Sequence, residues 1–195
     1  IEGSEANFTA LLTDDGNNQI DIDDQDISVS GTISVDNANL LDTATTGTIT
    51  ASIDTDETVT ELKTLTGTTH AYTIVIAAGD ATSSSADDLN TINEKTTAAI
   101  NASAITALTS DTIDNIKTLL TAGNDTDQFT DTSFASLTGV TVSDETLDGS
   151  KLADAIDQAN SATGDTSVVF TISAANTIEG SEANFTALLT DDGNN

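Results

Sequence analysis

Residues 1–18 read IEGSEANFTALLTDDGNN, and residues 178–195 read the same 18 letters without one substitution. Chance does not produce such an identity at an offset of 177 residues. The chain is therefore one period, residues 1–177, followed by residues 178–195 as the start of the next. Identical copies make every junction between periods equivalent, so the fold must be one that extends without a stop. A duplication introduced by design is the competing explanation, but no linker separates the second copy from the first. The expectation is a tandem array whose polypeptide continues past both ends of this chain, as a segment cut from a longer protein.

A weaker rhythm runs inside the period. Helix signals fall at 37–45, 57–65, 85–95, 110–122, 148–160 and 180–189, where apolar residues recur three and four apart, as in Ile113, Ile116 and Leu120. Ser85, Ser110 and Ser181 stand where N-caps belong. Gly16, Gly47, Gly67, Gly123 and Gly193 stand where a left-handed residue ends a helix. The four lysines lie within or near the ends of the helical segments, where the helix dipole favours a cation.

Strand signals, rich in Thr, Val and Ile, occur at 19–23, 26–35, 48–53, 71–76, 97–102, 140–143 and 167–172. A unit of roughly 20–30 residues, a strand and a short helix repeated about seven times per period, predicts an α/β solenoid with a parallel sheet on one face. No unit of that size buries its own apolar stripe, whereas stacked neighbours share a continuous core. Seven strands at about 4.8 Å would advance about 34 Å per period if each joined one sheet. The alternative is a string of all-β sandwich modules, which needs successive strands without helices between them.

Composition supports thin layers. Five Phe, one Tyr and no Trp leave the packing to Ile, Leu, Val, Ala and Thr methyl groups. Asp and Glu number 33 against four lysines (Lys63, Lys95, Lys117 and Lys151), for a net charge of −29. Such a chain repels nucleic acid and anionic membranes, both of which require basic contacts. There is no Cys for a disulfide or thiolate site. No apolar run reaches the length of a membrane span, and no signal peptide is visible.

Catalytic residue types are nearly absent. His70, in GTTHAY, reads as a turn residue at the edge of a coil. Without Arg, Cys or a second His, the usual nucleophile and zinc arrangements cannot be assembled within the period. A glycosidase would need a carboxylate pair in an aromatic-lined cleft, and no defensible pair is present. The chain is read as a non-enzyme.

Cation binding has residues behind it, since Ca²⁺ takes six to eight oxygen ligands. The first cluster is Asp14, Asp15, Asn17, Asp21, Asp23 and Asp24; the second is Asn124, Asp125, Asp127 and Asp131. Neither is an EF-hand: counting from Asp14, the twelfth position is Gln25. Asp and Asn are also ordinary turn residues. Thr48, Thr50, Thr73 and Thr97 hint at a threonine ladder of the kind ice binding needs. Sequons begin at Asn7, Asn101, Asn124 and Asn184.

The segments SVDNANLLDTATTGTITASI (34–53) and AYTIVIAAGDATSSSADDLNTIN (71–93) resemble repeats of giant tandem-repeat surface and adhesin-like proteins of aquatic bacteria, those of marine cyanobacterial motility and surface layers being nearest. The resemblance is one of style across roughly residues 27–172. It implies an extracellular or cell-surface, repeat-built protein and carries over no site residues. The functional expectation is a structural fibre or surface layer whose partners are neighbouring copies of the same repeat, with cell-surface polysaccharide a further candidate. The alternative is a calcium-dependent adhesin module for glycan, a surface or ice.

Overall fold

A computed structural model describes residues 1–17, 19–77, 84–163, 168–172 and 177–192, with side chains at all of these except 187 and 189–192. The chain is an α/β fold with parallel sheets and seven helices among the described residues.

The helices are α1 (Glu5–Gly16), α2 (Val35–Ala44), α3 (Val59–Leu62), α4 (Ala86–Asn93), α5 (Ile113–Gly123), α6 (Gly149–Thr163) and α7 (Glu182–Asp192). Most begin by one chemistry. The hydroxyls of Ser4, Ser34, Thr58, Ser85 and Thr112 each accept the backbone N–H three residues on, satisfying a donor that the helix leaves free. At α1 and α3 the third residue, Asn7 or Glu61, bonds back to the cap and completes a capping box. Ser181 repeats the Ser4 arrangement with Asn184.

The strands β1 (Glu2–Ser4), β2 (Ile27–Ile33), β3 (Ile49–Ile53) and β4 (Ala71–Thr73) pair in chain order. Then β5 (Ala107–Asp111), β6 (Gly139–Val142) and β8 (Val169–Ile172) form a second sheet, and β7 (Thr146–Asp148) pairs with β9 (Thr177–Glu179). Every one of these pairings is parallel. Isolated parallel bridges, Val75 to Asn101, Ile100 to Phe129 and Ser84 to Leu108, carry the pairing from the first sheet towards the second. Parallel partners lie one helix-bearing connection apart: Glu2 opposite Ser28, Thr50 opposite Ala71, Ala107 opposite Gly139.

Alternation places Ile49, Ala51 and Ile53 inward on β3. They join one buried cluster that runs from Phe8 to Val168. Helix α5 supplies Ile113, Ile116, Leu119 and Leu120 to it, on the spacing of a single helical face. Helices α3 to α7 each pack on the next, and α1 packs on α2. Beside the short α3, Asn39 of α2 bonds instead to Thr64 and Thr66, in the segment after α3.

Several expectations need correction. Residues 19–23 form no strand: Ile22 is a lone buried anchor in a turn. Residues 26–35 hold one strand, kinked at Gly31 (φ +85°), where the register with β3 shifts. Residues 97–102 keep only isolated bridges. Ser110 lies inside β5, and Thr112 is the cap. Gly16 and Gly123 are last helical residues without positive φ, so they are not left-handed caps. Gly47 lies beyond the cap Thr45 of α2, and its hydrogen side faces the Gln25 backbone so closely that a Cβ would overlap it. Gly193 lies outside the described residues. Among the described residues, six helices fall within residues 1–177, and α7 has the sequence of α1. Strands β1, β5, β7 and β9 carried no visible signal; β1, β7 and β9 are only three residues long.

Candidate functional site

The loop after α1 carries the strongest candidate. Asp15, in the last turn of α1, is half-buried, and the chain turns so that Asp21 and Asp23 face it. Their carboxylate oxygens lie within 4.8 Å of one another. Asp15 Oδ1 accepts the Ile22 N–H at 3.3 Å, and Asp21 Oδ1 accepts the Asp23 N–H at 3.1 Å. Burial of Ile22 sets this turn, since its neighbours on both sides are carboxylates pointing to solvent. The three carboxylates suit a hard divalent cation, yet they are fewer than the six to eight oxygens Ca²⁺ takes.

The rest of the first predicted cluster does not converge. Asp14 is exposed on α1, Asn17 is the helix C-cap, and Asp24 bonds the Gln25 side chain. In the second cluster Asn124 donates to Leu120 and to Gln158 on α6, so it acts as a helix-to-helix tie. Asp125 accepts from the Asp127 N–H and the Gln128 amide, and these bonds hold its carboxyl below the usual range. Asp127 and Asp131 are exposed, and among the described residues these carboxylates form no group of three.

Carboxylates do more across the layers than in either cluster. Glu57 accepts the N–H of Val35, the first residue of α2, at 2.7 Å. Asp144 accepts the N–H of Ile113, the first residue of α5, at 2.7 Å. Asp111 accepts the N–H of Asp87 in the first turn of α4, also at 2.7 Å. Each acid sits in the connection after the helix it caps, so it meets a free N–H and the positive end of the helix dipole at once. Glu5 links α1 to α2 by accepting from Ser34 N–H, Ser34 Oγ and Asn37 Nδ2. The Asn37 and Ser34 bonds outweigh burial and hold Glu5 below the usual carboxylate range. At Glu57 burial wins, reinforced by Glu61, Asp56 and Asp54, and its carboxyl is pushed up despite the Val35 bond.

His70 is buried, not at a coil edge. Its Nδ1 accepts the Ile49 N–H at 3.1 Å, which leaves Nε2 to face Asp42 Oδ1 at 2.6 Å. The ring also lies against Tyr72, centroids 5.3 Å apart. Both ring nitrogens are thus engaged in the interior. Of the lysines, Lys63 is the C-cap of α3 and Lys95 follows the C-cap of α4, whereas Lys117 lies inside α5 and Lys151 in the first turn of α6. Lys63 reaches Asp88, Lys117 reaches Asp154 at 2.5 Å, and Lys151 reaches Asp114 at 2.6 Å. Each pair ties neighbouring helical layers. No sequence signal marked these partners, which stand 25 to 37 residues apart.

The threonine ladder does not form in the predicted register. Thr50 stands opposite Ser28 and Ala71, and Thr73 opposite Ser52. Thr97 donates to the His70 carbonyl, and Thr46 does the same to Asp23.

Asp42 gives a pH prediction. Burial raises its carboxyl, but the hydrogen bonds from His70 and Thr66 outweigh this and hold it below the ordinary value of 3.8. A carboxyl depressed in the fold adds stability that is complete above its unfolded value and is lost as pH falls through the folded one. Urea midpoints should therefore fall below about pH 4, and less steeply in Asp42→Asn than in the parent chain. An equal acid slope in both would remove Asp42 from this role.

Among the described residues no helix is long and apolar enough to cross a membrane. Comparison with protein-family models, curated proteins and solved structures returned no match.

Proposed function

We propose that this chain is a segment of an extracellular structural protein, an α/β solenoid whose stacked coils form an elongated fibre or surface layer, and that it is not an enzyme. One observation carries the reading: the identical 18-residue segments build the same helix, α1 and α7, and each begins in a strand that pairs in parallel, β1 with β2 and β9 with β7. A fold that closes on a copy of its own first layer has no intrinsic stop. The acids that cap neighbouring helices and the lysines that cross between layers support a mechanical role, since both tie one layer to the next. The burial of the single histidine, with both nitrogens engaged, supports the non-catalytic half. Placement outside the cell rests on the acidic composition and on the resemblance of the repeats to bacterial surface proteins. Electron microscopy of the native material tests the proposal: rods or ordered layers are expected, and isolated globular particles would refute it.

A calcium-dependent binding module for glycan or another surface is the second reading, favoured by the Asp15, Asp21 and Asp23 group. It predicts a higher melting temperature in millimolar Ca²⁺ that Asp21→Asn abolishes. Equal melting with and without Ca²⁺ would discard it.

A further inference from the structure

The two copies of the 18-residue segment share one sequence but not one environment. Phe8 is 2% exposed, whereas its copy Phe185 is 38% exposed. The difference follows from what stands beside each. Helix α1 packs on α2 and β2, and Phe8 is covered there. Helix α7 packs on α6 and has no such layer on its other side among the described residues. The acids differ in the same way: Glu5 is half-buried against Ser34 and Asn37, while Glu182 is exposed. The opposite face shows the converse. Ile1 is 46% exposed, whereas its copy Ile178 packs against the core, paired with Leu147.

Each copy therefore has one covered face and one open face, and the covered face of one is the open face of the other. We infer that the face presented by Phe185 and Glu182 is a docking surface for a second copy of the 177-residue period, which seats its β2 and α2 there. The partner is fixed by continuity with an interface already present in the molecule: residues that cover Phe8 and bind Glu5 will cover Phe185 and bind Glu182. Ser34 and Asn37 of the incoming copy meet Glu182, and its Ser28 pairs with Glu179 as it pairs with Glu2. The shared segment is a single layer with two working faces, β7 and α6 of one period on one side and β2 and α2 of the next on the other. Joined this way, periods stack without a gap or a linker. This deepens the fibre reading and rests on it.

The test is hydrogen exchange on the chain as it stands and on the same chain lengthened by residues 19–195, which gives two periods sharing one joint. Amides of residues 178–192 should exchange at least about tenfold more slowly in the longer chain, approaching the rates of residues 1–16. Phe185→Ala should leave the melting temperature of the single chain nearly unchanged and should lower that of the two-period chain as much as Phe8→Ala does. Unchanged exchange at the joint, or a Phe185→Ala effect equal in both chains, would overturn the docking surface. Failure of the stacked-coil reading would look different: residues 1–16 of the single chain would themselves be unprotected.

Discussion

Gly67→Ala should unfold at a urea concentration well below that of the parent chain, losing about 4 kcal/mol of stability. Two costs add. Gly67 has φ +74°, which an L side chain adopts at about 1–2 kcal/mol. A Cβ there would also lie 2.5 Å from the His70 ring and 2.9 Å from Asp42 Oδ1. The ring cannot retreat without giving up its bond from the Ile49 N–H or its contact with Asp42, so overpacking adds about 1–3 kcal/mol and a lost buried bond about 1 more. Gly31 separates the two costs. Its φ is +85° but a Cβ would meet nothing within 4 Å, so Gly31→Ala should lose only the strain, about 1 kcal/mol. Equal losses at the two glycines would mean that the His70 node is not packed as described.

Asp111→Ala should lose about 3 kcal/mol. The carboxylate is 8% exposed and accepts from Asp87 N–H, Thr112 N–H and Asn115 Nδ2 at 2.7–2.9 Å. Removing it leaves donors of two layers without their acceptor, at the N-terminus of α4 and ahead of α5. Asp111→Asn keeps one acceptor oxygen and should lose about half as much. The exposed Asp157→Ala should stay within about 0.5 kcal/mol of the parent chain. Urea midpoints of the three variants decide the matter. If Asp111→Ala behaves like Asp157→Ala, the carboxylates between layers are solvated charge and not ties.

That contrast marks what the sequence could and could not reveal. Local patterns were legible. The spacing of Ile113, Ile116 and Leu120 located α5, Ser85 located the start of α4, and the alternation in residues 48–53 located β3 with its inward face. Each rests on neighbours within a few residues, where periodicity and capping act. Contacts between layers were not legible. His70 beside Gly67 looked like a turn because nothing local announces Asp42, 28 residues earlier. Lys117 looked like a dipole partner because Asp154 lies a whole layer away. The unit spacing itself varies: parallel partners are 22 residues apart between Ile27 and Ile49 but 32 between Ala107 and Gly139. Of the acidic first cluster, only burial of Ile22 decided which carboxylates meet, and burial is a tertiary fact.

The central claim is that periods stack coil on coil into one continuous rod. Small-angle X-ray scattering from chains of one, two and three periods sharing their 18-residue joints tests it most directly. Six layers at about 4.8 Å predict that each added period lengthens the particle by about 29 Å at constant cross-section. A cross-section that grows with length, or scattering from beads on flexible joints, would contradict it.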